Sequence, residues 1–281
     1  TISLLIDYIL KPFVLNMESF IQDSQNLIQK TLNSKFDKDT ILYSCDFESL
    51  YTNINHDEAI NKLTDFLNNK INSKHISILG FNSLLKFLLY NNYFKFENKV
   101  FKQVRGIAMG TIAAPSIANI FLYCFEKEFL TIHRPLCYFR FIDDIFIATH
   151  KNFDINLLKS SFNIKLNINS DRIIQFLDLN IYVCNYTKRL KFSLYIKPTN
   201  TFSYLFTNSN HPNFITKNIP KSLFIRIRRI CSNFHDFVYF SSLLISKLVE
   251  RKYDFKKLEK LFVIVSHIDR NKLIPYKNKS N

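Results

Sequence analysis

Apolar and polar residues along this chain follow two periods, and the switches between them outline its elements. Near the start, Leu4, Leu5, Tyr8 and Ile9 fit one side of a 3.6-residue repeat, which predicts a helix broken or kinked at Pro12. A second amphipathic helix is expected over Ser19 to Leu32, with Ile21, Leu27, Ile28 and Leu32 near one side. Ile41 to Phe47 is an almost unbroken apolar run of strand length, with Asp46 near its end. Asn55, followed three residues later by Glu58, marks a helix start, and Ile60, Leu63 and Leu67 continue it. A helix over Ser77 to Asn91 comes next. After it a hairpin from Tyr93 to Gln103 turns at Glu97-Asn98-Lys99.

The segment from Gly106 to Phe125 holds 20 residues without a charge, which is the length of a membrane span. It contains Gly106, Gly110, Pro115, Ser116 and Asn119 and runs into Glu126-Lys127-Glu128, so a buried loop followed by a core helix, Ser116 to Leu130, is expected instead. Two of the chain's 3 glycines fall within five residues here, the mark of a backbone that approaches something closely or takes positive φ. From Phe139 to Ala148, two runs rich in aromatic and β-branched residues flank Asp143-Asp144. They predict a hairpin with adjacent carboxylates at its turn. Beyond it, a helix is expected over Asn156 to Phe162, and strands over Asn163 to Asn169, Ile173 to Val183 and Phe192 to Pro198. Residues 201–218 read as loop, and from Pro220 onward the chain reads as basic helix.

Composition narrows the class. With 47% hydrophobic residues in 281, the chain can build a sizeable core, which argues against disorder. The net charge of +15 points to a polyanion, nucleic acid ahead of an anionic membrane. A merely soluble basic protein is the alternative, and a biased base composition would also enrich lysine. Cys45, Cys124, Cys137, Cys184 and Cys231 are widely spaced with no CxxC pair, which suggests neither a zinc site nor a disulfide framework and fits a reducing, intracellular compartment. No targeting sequence is evident, and the start at Thr1 suggests an excised piece.

Asp143-Asp144 alone has two readings, ordinary turn chemistry or a functional site. Asp46 at a strand end sharpens the second. Carboxylates from two adjacent strands can hold two Mg²⁺ ions, which prefer oxygen ligands and bind phosphates. Such a pair stabilises both the attacking and the leaving oxygen of an in-line phosphoryl displacement.

In this order along the chain, several segments resemble reverse transcriptase motifs, and most closely those of Penelope-like retroelements, relatives of telomerase. Cys45-Asp46-Phe47 through Leu50-Tyr51-Thr52-Asn53-Ile54 resembles the first palm motif. Gly106-Ile107-Ala108-Met109-Gly110 with Ala114-Pro115-Ser116-Ile117-Ala118-Asn119 resembles the second, and Phe139 to Phe146 the third. Phe176-Leu177-Asp178-Leu179 and Tyr195-Ile196-Lys197-Pro198-Thr199 resemble the sheet end and primer grip. Ile219-Pro220 with Arg226, Arg228, Arg229 and Ile230-Cys231-Ser232 resembles the start of the thumb. Thr111 and Ala114 stand where the family usually has Ser.

The resemblance implies an α+β right-hand polymerase: a palm with an antiparallel sheet and packed helices, partial fingers and a helical thumb. Residues 1–40 would be partial fingers, 41–68 the first part of the palm, 69–103 a fingers insertion, 104–200 the second part of the palm and 201–281 the thumb. Asp46 and Asp143 would be metal ligands with Asp144 a third carboxylate, and the backbone carbonyl of Phe47 would assist. The cofactor would be two Mg²⁺, with Mn²⁺ a substitute. Tyr51 would exclude a ribose 2′-OH, while Gln103, Met109 and Gly110 would lie against the incoming nucleotide. Lys165, 11 residues before Phe176, is the candidate that protonates the leaving pyrophosphate. Lys197, Pro198, Thr199, Arg226, Arg228 and Arg229 would contact primer and template. Partners would be an RNA template, a DNA primer and dNTP, with no membrane; a eukaryotic element would act in the nucleus. The family's fingers motif, carrying an Arg for the triphosphate, precedes the segment that Thr1 to Val14 resembles. No GIY-YIG-type nuclease pattern follows Ile268, so such parts would be supplied elsewhere. Two competing readings are a truncated, inactive nucleic-acid-binding remnant and an RNA-synthesising polymerase. Tyr51 disfavours the second.

Overall fold

The computed structural model describes residues 1–68, 70, 77–162 and 164–275. It divides into two compact units, one of residues 1–21 and 43–170, the other of residues 22–42 and 171–281.

The first unit is built around helix α6, Ala114–His133, which buries residues on nearly every side, from Ile117, Ala118 and Ile120 to Phe121, Leu122 and Phe129. A helix apolar all round belongs inside a fold, and among the described residues no helix is long and apolar enough to cross a membrane. Pro115 occupies its first turn, where a missing N–H costs nothing. Helices α1 (Ile2–Leu15) and α4 (His56–Leu67) pack against it, and α5 (Ile78–Tyr90) packs against both of them. Asn55 accepts a hydrogen bond from the Glu58 amide at 3.1 Å, and Ser77 likewise caps α5. In α1 the buried face is Ile6, Leu10 and Val14, whereas Leu4, Leu5 and Tyr8 are exposed, which reverses the face expected from the first residues. Pro12 lies inside α1 without ending it. The ring sits on the solvent side, where the carbonyl of Tyr8 that loses its partner can turn to water.

Four strands form the sheet of this unit in the order β4-β5-β1-β6. They are β1 (Ile41–Phe47), β4 (Cys137–Phe141), β5 (Asp144–Thr149) and β6 (Leu166–Ser170). β1 pairs antiparallel with β6, Asp46 opposite Asn167, and β4 with β5, Phe141 opposite Asp144. The last pairing moves the turn by one residue. It is Ile142-Asp143, with Asp144 already in the strand, because Ile142 takes the left-handed conformation at φ 55°. A separate exposed hairpin, β2 (Tyr93–Phe96) and β3 (Lys99–Lys102), turns on Glu97-Asn98, both at positive φ. Two shorter helices, α3 (Leu50–Asn53) and α7 (Asn156–Ser160), complete the unit. The strand expected from Asn163 begins at Leu166, and Asn163 itself lies outside the described residues, as do residues 69 and 71–76 of the expected insertion.

The second unit has a three-stranded sheet, β7 (Ile174–Phe176), β8 (Leu179–Cys184) and β9 (Arg189–Leu194), with helices α2 (Ser24–Thr31), α8 (Asn213–Ile230), α9 (Phe234–Glu250) and α10 (Phe255–Ser266). Ile173 to Val183 is therefore two strands, not one. Leu177 at φ 54° turns the chain, and Phe176 pairs with Leu179 across it. The strand expected over Phe192 to Pro198 lies earlier, because Lys197, Pro198 and Thr199 are exposed residues past its end. Helix α8 starts at Asn213 and passes through Pro220, so the helical region begins before that proline. All five cysteines are free.

Candidate active site

Asp46 is the outward-facing residue of a strand otherwise buried at Leu42, Tyr43, Cys45 and Phe47. Its phase follows from alternation: Cys45 and Phe47 point into the core, so Asp46 points away. Phe47 is locked from behind by an edge-to-face contact with Phe162, the ring centroids 4.9 Å apart. The neighbouring turn is tied to the strand end, where the Phe47 amide donates to the Asp143 carbonyl at 3.4 Å.

This registration brings two carboxylates together. Partial burial, and then the negative charge of Asp143, hold the Asp46 carboxyl above its ordinary range. Burial and Asp143 likewise raise the Tyr51 phenol. Asp46, Asp143 and Tyr51 thus share one electrostatic environment. Like charges set side by side disfavour ionisation, and a divalent cation between them would reverse that penalty, so the pair suits a hard, oxygen-seeking ion. Among the described residues no group of three or more His, Cys, Asp or Glu side chains converges as a metal site. Asp144 is half-buried at the start of β5.

Two further segments border the carboxylates. Lys165 pairs with Glu48 at 2.6 Å, and the Glu48 amide donates to the Lys165 carbonyl at 2.9 Å, so this lysine stands beside the chain just past Asp46. The loop from Gly106 lies on the other neighbour, Tyr51. Ile107 donates to the Tyr51 carbonyl at 2.7 Å, and Gly106 donates to the Ile54 carbonyl at 2.9 Å. Gly106 has φ +83°, and a Cβ there would stand 2.7 Å from both Thr52 Cα and the Tyr51 carbonyl oxygen. Buried His56 holds the Gly106 carbonyl through Nε2 at 2.7 Å. The close approach expected of this glycine is therefore to the chain's own backbone. Gly110 differs, since a Cβ there would meet nothing within 4 Å, and Met109 beside it is exposed. Gln103 is engaged at both ends of its amide, accepting from Asn92 at 2.8 Å and donating to the Arg105 carbonyl at 3.0 Å.

The basic residues expected to meet nucleic acid lie in the second unit. Arg226 forms an ion pair with Asp178 at 2.5 Å, which also accepts from Ser24. Arg228 donates to the Ile268 carbonyl at 3.2 Å and lies over the rings of Phe234 and Phe237; Arg229 donates to the Leu273 carbonyl at 3.0 Å. Each of these arginines therefore has a partner within the fold.

One group escaped the sequence reading. Glu126, taken as part of the charged end of an apolar stretch, is fully buried, and so is Arg140. A signal was present. Asn119 and Glu126 are seven residues apart, two turns on one helix face, and Arg140 shares the inward phase of Tyr138 in β4.

The comparisons agree with this architecture. The computed fold is similar to telomerase from Candida albicans in complex with a TWJ fragment of telomeric RNA, at 13% identity and a TM-score of 0.61, covering 96% of this chain and 53% of that one. It is similar to apo telomerase from Candida tropicalis, at 11% identity and 0.53, covering 97% and 54%. The Sicinivirus 3Dpol RNA-dependent RNA polymerase matches at 9% identity and 0.52, covering 87% and 54%. At such identities the likeness is one of fold, and the chain spans about half the length of these structures. A comparison with curated proteins finds no match. The profile of an animal helix-turn-helix domain matches residues 203–262, which include α8, α9 and most of α10. The profile described as reverse transcriptase (RNA-dependent DNA polymerase) matches residues 4–174, more than half of the chain, taking in β1, the Gly106 loop and the Asp143 turn. By that match the chain belongs to the reverse transcriptase family.

Proposed function

We propose that this chain is the polymerase portion of a retroelement reverse transcriptase of the Penelope-like kind, which copies an RNA template by extending a DNA primer with dNTPs. The observation that carries the reading is the pairing of Asp46 with Asp143 across adjacent strands, with Tyr51 in the same field.

Two Mg²⁺ ions, or Mn²⁺ in their place, would supply charge neutralisation at the attacking and leaving oxygens when bound. Asp46 and Asp143, with Asp144 and the Phe47 carbonyl, offer the oxygen donors that would hold them. The primer 3′-hydroxyl is the nucleophile, so the protein needs none of its own. Its work is positioning and charge. Tyr51 bounds the space beside the sugar and rejects a 2′-hydroxyl. The open side of Gly110, with Met109 and Gln103 nearby in sequence, leaves room for the incoming nucleotide. Lys165, held by Glu48, donates a proton to the departing pyrophosphate. In the second unit Lys197, Pro198, Thr199 and helix α8, which bears Arg226, Arg228 and Arg229, serve the primer–template duplex. Residues 1–40 and 69–103 correspond to fingers, 41–68 and 104–200 to palm, and 201–281 to thumb.

The test is primer extension by the purified chain with Mg²⁺, a primed RNA template and dNTPs. Wild type should extend and Asp143→Ala should not. Extension by Asp143→Ala at the wild-type rate would defeat the assignment, whereas salt-sensitive binding without extension under any metal would mark a binding remnant.

A further inference from the structure

The buried network around Arg140 does more than fill the core. All five guanidinium N–H groups have acceptors. Nε and Nη2 donate to Glu126, the latter at 3.2 Å. Nη1 donates to Asn119 Oδ1 at 2.6 Å, and Nη2 to the Asn119 carbonyl at 3.0 Å. The remaining bond, Nη1 to the Ile142 carbonyl at 2.8 Å, reaches the turn itself. Glu126 is completed by the Tyr138 hydroxyl at 2.8 Å and by Ser19 Oγ at 2.9 Å. Both polar groups of the Arg140 backbone are also held by the segment 19–21, its amide donating to Ser19 and its carbonyl accepting from Ile21.

A buried ion pair is weak grounds for stability, because apolar residues of the same volume often serve as well. What apolar residues cannot do is donate to the Ile142 carbonyl. Ile142 is β-branched and sits at φ 55°, a conformation such residues seldom adopt. Backbone held in such a state persists where its surroundings over-determine it. Ile142 is the residue immediately before Asp143. Helix α6, which supplies Asn119 and Glu126, begins just after the Gly110 loop, and its first turn is itself fastened to α1. There the Ala113 amide donates to Ser3 Oγ at 3.0 Å and Ser116 donates to Asp7 at 2.5 Å.

We infer that Arg140 is a positioning residue: its guanidinium, neutralised by Glu126 and aimed by Asn119, clamps the Ile142 carbonyl and so fixes the direction of Asp143. Its catalytic consequence rests on the polymerase reading; its effect on the turn does not. Arginine is required rather than lysine, because one ammonium cannot serve Glu126, both Asn119 acceptors and Ile142 in a planar fork.

Two measurements on the full chain test this. The first is backbone hydrogen exchange of peptides covering residues 139–146 in wild type, Arg140→Lys, Ile142→Asn and Arg140→Lys/Ile142→Asn. Lysine keeps the charge balance with Glu126, so the fold should survive, while exchange at the turn should rise about tenfold or more. Asparagine tolerates the left-handed conformation, so the double variant should regain much of the lost protection. The second is single-turnover primer extension. Arg140→Lys should lose roughly 10²-fold in the chemical step with primer–template affinity unchanged, as expected for a small misplacement of a reacting group, and the double variant should recover part of it. Wild-type exchange at the turn in Arg140→Lys, or a double variant no better protected than the single, would overturn the inference. If Arg140→Lys fails to fold, Asn119→Ala, which removes one acceptor but leaves the ion pair, should show the same local rise in exchange. Unchanged exchange there overturns the inference. If wild type does not extend primers, the polymerase reading fails and the exchange result still decides the clamp.

Discussion

Two glycines four residues apart should respond oppositely to the same substitution. At Gly106 an added methyl meets only backbone, the Thr52 Cα and Tyr51 carbonyl at 2.7 Å and the Thr52 carbonyl at 2.9 Å, so no flexible side chain can swing away. The backbone there is at φ +83°, which costs a non-glycine residue about 1–2 kcal/mol. Forcing the loop off Tyr51 adds an overpacking cost of about 1–3 kcal/mol. It also strains the hydrogen bonds from Gly106 to Ile54, from Ile107 to Tyr51 and from His56 to Gly106. Gly106→Ala should therefore destabilise the chain by roughly 3 kcal/mol, a fall in melting temperature of about 6–12 °C for a domain of this size. Gly110→Ala meets nothing within 4 Å and has no positive φ to lose, so its melting temperature should stay within about 2 °C of wild type. Its cost should appear only where a nucleotide would enter, as a rise in the KM for dNTP. Thermal melts of the two variants, read with their extension kinetics, check the pair. A Gly106→Ala melting within 2 °C of wild type, or a Gly110→Ala that is strongly destabilised, would refute the packing argument.

Other expectations follow from single residues. Tyr51→Val should relax discrimination against rNTPs by about tenfold or more, measured as the ratio of kcat/KM for dNTP and rNTP; an unchanged ratio removes Tyr51 from the sugar. Lys165 and Glu48 form an exposed pair, worth about 0–1 kcal/mol, so Lys165→Met should barely shift the melt yet slow turnover by about 10²-fold if this lysine is the proton donor. Thiol alkylation at neutral pH should favour Cys184. Its hydrogen bonds to Thr187 lower its pKa and so increase its thiolate. Burial pushes Cys45, Cys137 and Cys231 up to about 12 and Cys124 to about 11, leaving them protonated and slow to react. Mass mapping of the first labelled site checks the order.

Much of the fold was written in local pattern. The bounds of β1 are those of its apolar run, and Asn55 and Ser77 cap the helices their positions announced, because caps and short buried strands are local devices. Phase was harder to read. The buried face of α1 is set by its packing on α5 and α6, which a few leading leucines do not report. The same limit hid the split of Ile173 to Val183, since a two-residue turn leaves an apolar run looking continuous; Asp178, in the pattern Phe-aliphatic-Asp shared with Phe141-Ile142-Asp143, was its trace. The carboxylates were legible because charge has no ordinary place between buried strands. Arg140 and Glu126 were not, because each looks like surface until the other neutralises it inside the core.

On the proposed function, Asp46 and Asp143 act together as a metal-dependent polymerase site. Asp46→Asn tests it most directly, because this residue faces outward from β1 and its replacement leaves the core packing untouched. In single-turnover extension on a primed RNA template with Mg²⁺ and dNTPs, the variant should melt and bind primer–template like wild type while its rate falls by about 10³-fold or more. A folded Asp46→Asn that extends within a few-fold of wild type would contradict that role.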